Sequence, residues 1–119
     1  MIRLVLLLAL VAAAGCTDPF EGCYARTPVL PTELRVSKQP QGYSVVVHEG
    51  NGWSPALSLR RATSQELGMF HMDPAKTEGL VNPTTALGIF HRTGENISGA
   101  PYLVTFLFGT QPAFKVRCG

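Results

Sequence analysis

The sequence predicts an all-β domain: a small antiparallel up-and-down β-barrel of about eight strands, with a two-sheet β-sandwich as the alternative packing. Three observations carry this reading. The 119 residues include 12 glycines and 9 prolines, too many breakers for a coiled coil or helical bundle and enough to turn the chain repeatedly. Between the breakers lie short runs in which apolar and polar side chains alternate with the period of a strand. Two of the three cysteines, Cys23 and Cys118, fall in the first and last of those runs. The length allows one domain and no more.

The elements follow in order. Residues 21–26 form the first expected strand, and Pro28 and Pro31 turn the chain after it. Residues 33–38 are the second, with Leu34 and Val36 alternating against Glu33, Arg35 and Ser37. Residues 43–49 place Tyr43, Val45 and Val47 on one face and Ser44, Val46 and His48 on the other. Gly50-Asn51-Gly52 is a hairpin signal, since both residue types tolerate positive φ. Residues 53–61 are the fourth strand, with Leu57 and Leu59 inward and Pro55 marking an edge or bulge. Thr63-Ser64-Gln65-Glu66 matches a capping box and predicts one short helix near 64–68, ended by Gly68. Residues 69–72 read as a weak fifth strand and 73–85 as a long irregular loop. Residues 86–92, 102–109 and 113–118 complete the set, with Tyr102, Val104, Phe106 and Phe108 sharing a face.

The amino-terminal stretch is different in kind. Arg3 is followed by eleven apolar residues, 4–14, the layout of a secretory signal peptide. At roughly 16 Å of helix the run covers about half of a ~30 Å hydrocarbon core, too short to span a membrane. Ala13-Ala14-Gly15-Cys16 resembles the lipobox of bacterial lipoproteins, with Ala13 where Leu is usual. The resemblance implies removal of residues 1–15, a diacylglycerol on the Cys16 sulfur and an N-acyl chain on its amino group. With Thr17 next, it also implies outer-membrane retention facing the periplasm. Residues 16–22 are then a lipidated tether and 23–119 a single β domain. Ordinary cleavage after Ala12-Ala13-Ala14, leaving Cys16 as a thiol, is the alternative. Cysteine parity favours lipid, because a lipidated Cys16 leaves Cys23 and Cys118 as an even pair. Joining the first strand to the last closes an up-and-down sheet into a barrel. The bond would close a loop of 95 residues, a stabilisation of roughly 4–5 kcal/mol.

The remaining residues limit the chemistry. A net charge of +2 gives no footprint for nucleic acid. The chain has no G-x-S-x-G and no glycine-rich phosphate cradle, and its eight acidic residues are scattered singly. Neither an enzyme nor a cofactor beyond the lipid is expected. Met69-Phe70-His71-Met72 offers ligand types suited to copper(I), but strand alternation would put Met69 and His71 on one face and Met72 on the other. No metal site is expected there, nor at His48 or His91.

Ser98-Gly99-Ala100-Pro101-Tyr102 matches an S-G-x-x-Y signature and is similar to the membrane-bound and periplasmic inhibitors of C-type lysozyme. The resemblance implies a small barrel whose cystine ties the first strand to the carboxyl end. It also implies a loop that enters the lysozyme cleft, with Ser98 and Tyr102 as contacts and Lys115 as the candidate for the family's lysine on a later strand. Strand parity assigns connections 39–42, 62–68 and 93–101 to the membrane side and 27–32, 50–55, 73–85 and 110–112 to the far side. Trp53 is therefore a second candidate contact, facing away from the membrane. The expected role is a non-catalytic binding module for a protein partner in the cell envelope. The alternatives are an inhibitor of a cell-wall hydrolase or an immunity-type protein, and a structural envelope or secretion-system component. The oligomeric state stays open.

Overall fold

The computed structural model describes residues 18–93, 100–106 and 109–119. In chain order they form β1 (Gly22–Ala25), β2 (Leu34–Gln39), β3 (Gly42–Glu49), β4 (Gly52–Trp53), β5 (Leu57–Arg61), α1 (Ser64–Met69), β6 (Thr77–Asn82), β7 (Leu87–Arg92), β8 (Tyr102–Phe106) and β9 (Gly109–Val116). Eight of these strands close an antiparallel barrel in which each pairs with the next and β9 returns to β1. The two-residue β4 folds back on the end of β3, opposing Trp53 to His48. Cys23 and Cys118 are bonded, with Cα atoms 5.3 Å apart. Barrel and cystine are thus both as the sequence predicts.

Alternation decides which side chains go inside. Tyr24, Leu34, Val36, Val45, Leu59, Leu80, Ile89 and Val104 fill the interior as one cluster. The capping box forms as expected: the Glu66 amide donates to the Thr63 hydroxyl at 3.1 Å, and the Thr63 amide to the Glu66 carboxylate at 2.9 Å. The helix it starts lies against the outer wall, where Leu67 packs on Val81 and Phe90 to make a second small core.

Four expectations are corrected. Residues 69–72 are not a strand: α1 runs through Gly68 to Met69, and the chain reverses at His71, whose φ is 60°. Phe70 and Met72, which mimic strand alternation, pack instead against the second core. The fifth barrel strand is β6, inside the stretch expected as a loop. Gly79 looks like a turn residue there, yet it sits opposite Phe90 in the ladder and gives that ring its space. Residues 53–61 split into β4 and β5 around Pro55, which has no amide hydrogen to donate. Phe106 pairs with Gly109, where β9 begins, so Pro112 lies within β9, above the point at which pairing with β1 begins at Phe114.

Three outcomes follow from this packing. Replacing Cys23 and Cys118 together by Ala should lower the unfolding free energy by roughly 4–5 kcal/mol in guanidinium titrations. A Cβ at Gly79 would lie 2.7 Å from Phe90 Cδ1, so Gly79→Ala should cost about 1–3 kcal/mol. Gly68→Ala, with open space at its Cβ in α1, should gain up to about 1 kcal/mol.

Candidate functional site

The two mouths of the barrel are built differently. At the mouth where β1 starts, the chain plugs itself. Asp18 Oδ1 accepts from the amides of Phe20 at 2.8 Å and Glu21 at 3.2 Å, a local turn that throws the Phe20 ring into the barrel. Phe20 is 0% exposed. Its ring meets Tyr43 and His91 edge-on at 6.1 and 6.2 Å, with the Arg61 guanidinium 5.5 Å from its centroid. The Tyr24 hydroxyl donates to the Phe20 carbonyl, and the Tyr102 hydroxyl to the Pro19 carbonyl at 2.5 Å. The stretch expected as a free tether therefore enters the fold at Asp18.

Asp18 fastens the plug. Its Oδ2 accepts from the Tyr43 hydroxyl at 2.6 Å and lies 3.5 Å from Lys38 Nζ. Partial burial opposes ionisation, but the Tyr43 hydroxyl, the two backbone amides and Lys38 outweigh it and hold the carboxyl below its usual range. Lys115 lies alongside, donating to the Glu21 carbonyl at 3.0 Å with its Nζ 5.9 Å from the Tyr102 ring centroid and 6.0 Å from that of Tyr24. Burial lowers its ammonium pKa.

Of the predicted site residues, Tyr102 is 6% exposed and its hydroxyl is committed to the plug. Cys16 and Ser98 lie outside the described residues. The connection that carries Ser98 leaves β7 and joins β8 at the plugged mouth, where the Arg92 amide donates to the Pro101 carbonyl at 3.0 Å.

The opposite mouth is open. A cavity of about 180 Å³ lies between Tyr24, Leu34, Val47, Val104, Phe106 and Ala113. Four of the five large apolar residues left exposed in the described chain, Val29, Leu30, Trp53 and Phe106, gather at this end, and Met69 on α1 is the fifth. Trp53 is 39% exposed. Its indole carries the Arg35 guanidinium 5.1 Å from the centroid and meets the His48 ring at 5.2 Å and 80°. Beside it a groove of about 450 Å³ runs between Leu30, Glu33, His48 and Trp53. The Glu33 carboxylate that borders it is held by the Arg26 amide and guanidinium at 2.8–3.2 Å. Of the stretch 73–85, expected at this end, only the turn after Asn82 lies here, because β6 carries the chain across the barrel wall.

Sequence reasoning singled out Trp53 because it follows a Gly-Asn-Gly turn. It missed Arg35, which reads as an ordinary outward strand residue until the register sets it opposite Val46 on the wall that β4 covers. It also missed Phe20, which carries no local signal. The depressed carboxylates, Asp18, Glu33 and Glu66, each face hydrogen-bond donors and a cation. None is poised to donate a proton near neutral pH. Among the described residues no group of three or more His, Cys, Asp or Glu side chains could hold a metal ion.

Comparison with protein-family models, curated proteins and solved structures finds no match to this chain. The structure defines the class as a closed up-and-down barrel with one mouth plugged by its own chain and an apolar, aromatic rim at the other.

The plug makes a pH-dependent prediction. The folded Asp18 pKa lies below the ordinary value of 3.8, so the ionised carboxylate stabilises the fold above that value and the contribution is lost as pH falls through the folded pKa. Asp18→Asn should lower the melting temperature near neutral pH and flatten the decline that sets in as pH falls below about 4. Thermal melts from neutral pH through that decline check it; an unchanged acid limb would mean that Asp18 does not hold the plug.

Proposed function

We propose that the chain is an outer-membrane lipoprotein, anchored through diacylglycerol and N-acyl chains on Cys16. Its barrel serves as a non-catalytic binding module for an envelope partner at the open mouth. The observation that carries this reading is the polarity of the barrel. Asp18, two residues after Cys16, is already fixed to the plugged mouth, so an anchor at Cys16 leaves at most about 7 Å of extended chain. The plugged mouth would then rest close to the periplasmic face of the membrane. Acyl chains contribute about 0.8 kcal/mol per buried methylene, and two or more suffice for stable attachment. At the other end, away from the membrane, are Val29, Leu30, Trp53 and Phe106. Grouped exposed apolar and aromatic side chains mark interaction surfaces, and Trp is the residue type most often decisive there.

One observation favours a second reading, the inhibitor of a cell-wall hydrolase. Lys115 lies 5.9 Å from the Tyr102 ring, which sets the candidate for that family's lysine beside the tyrosine of the Ser98-to-Tyr102 motif. In this reading Ser98 makes the contact, at the plugged mouth, and the buried Tyr102 positions it.

Variants separate the two. Cys16→Ser should abolish acylation and leave the protein unprocessed or soluble in the periplasm; unchanged acylation and membrane fractionation would overturn the anchor. Trp53→Ala or Phe106→Ala should weaken capture of the envelope partner by about tenfold or more, and Ser98→Ala should leave it unchanged. Loss of partner binding or lysozyme inhibition confined to Ser98→Ala, with circular dichroism intact, would overturn the open-mouth reading and establish the second.

A further inference from the structure

We infer that the groove beside Trp53 is a binding site for a neutral oligosaccharide. The inference rests on the reading that the open end is the working surface, and names the ligand class for that surface.

The first argument is the state of the indole. Trp53 sits on the two-residue β4, outside the barrel interior, yet it is held from two sides by the Arg35 guanidinium at 5.1 Å and the His48 ring at 5.2 Å. Arg35 makes no ion pair or side-chain hydrogen bond among the described residues, and its Nε is buried without a partner. Burying such an atom without a partner is unfavourable. The guanidinium is set on the indole at the expense of a partner of its own. The result is a fixed aromatic plate that remains 39% exposed.

The second argument is the composition of the groove. Leu30, Pro31 and Trp53 supply apolar surface, and His48 and the remaining lone pairs of the Glu33 carboxylate supply hydrogen-bonding groups, while the buried Thr32 hydroxyl is committed to the Arg117 carbonyl. A pyranose ring needs this mixture: its weakly positive C–H face stacks on an electron-rich indole, and its hydroxyls bond to carboxylate and imidazole groups around the plate. At about 450 Å³ the groove is within the range of small-ligand sites, about 300–1,000 Å³.

Charge argues against an anionic ligand. Glu33 is neutralised by Arg26, at 3.0 Å, and Arg35 is turned onto the indole. The groove presents no free pair of cations for a phosphorylated or polyanionic ligand.

The test uses Trp53, the only tryptophan in the sequence, as its reporter. The probe is the β-1,4-linked tetramer of N-acetylglucosamine, added to the full chain in a zwitterionic detergent so that no sugar detergent competes. Saturable change in intensity and blue shift of the emission are expected. In calorimetry, Trp53→Phe should bind more weakly and Trp53→Ala not measurably. His48→Ala should lose about fivefold or more in affinity, and Met69→Ala, on α1 away from the open mouth, should lose nothing. No emission change up to about 10 mM tetramer, with Trp53→Ala still impairing partner capture, would overturn the saccharide site and leave the open-mouth reading standing. Equal affinity in Trp53→Ala and the parent chain would overturn the site outright.

Discussion

The pairing of β1 with β9 constrains everything else, because in an up-and-down sheet it is the one strand contact between distant parts of the chain. Every other neighbouring pair is joined by its own connection and can form locally, which keeps the entropic cost of each step small. The closing ladder holds only three residue pairs, Cys23 with Val116, Tyr24 with Lys115 and Ala25 with Phe114. At roughly 0.5–1.5 kcal/mol per hydrogen bond, so short a ladder is a weak seam. Two reinforcements adjoin it. The cystine links positions 95 residues apart, and the last residues turn toward the β1–β2 loop, where the Thr32 hydroxyl donates to the Arg117 carbonyl at 3.3 Å. Cys23, on the outer face of β1, is 1% exposed.

Closure also explains which parts of the structure could be read from the residues. Leu34 and Val36, or Tyr43 and Val45, alternate cleanly against polar neighbours, so β2 and β3 are legible. β6 is not, because its period is broken by Gly79, and the reason for that glycine is the Phe90 ring on the next strand. The stretch from Met69 to Met72 misleads for the converse reason: Phe70 and Met72 are two apart, as in a strand, yet both reach the second core from the end of a helix. A local pattern cannot distinguish these cases, since the deciding contact lies on another element.

The same holds for the candidate site. Trp53 was legible, having a turn before it and no apolar partner at strand spacing. Arg35 and His48 became its partners only through the register of β2, β3 and β4. The plug is the extreme case. Phe20 follows a proline in a short polar stretch, and nothing near it in sequence says that Tyr43, His91 and Tyr102 will converge around its ring and its neighbouring carbonyls. Those residues come from three different strands, and only the closed barrel brings their ends to one mouth.

A filled interior limits where such a barrel can act. Val45, Leu80 and Ile89 are 0% exposed, and an eight-stranded barrel is just wide enough for its own side chains to fill it. The core therefore leaves no channel for a solute, and the 180 Å³ cavity stops at the open mouth. The accessible surface is confined to the rims and the outer wall. One rim is occupied by residues 18–20, and the outer wall over Val81 and Phe90 is occupied by α1. The open rim and the adjoining wall of β2, β3 and β4 are among the surfaces of the described chain left uncovered. The exposed tryptophan lies there because β4, too short to enter the barrel, is the one strand of the described chain whose side chains need not serve the core.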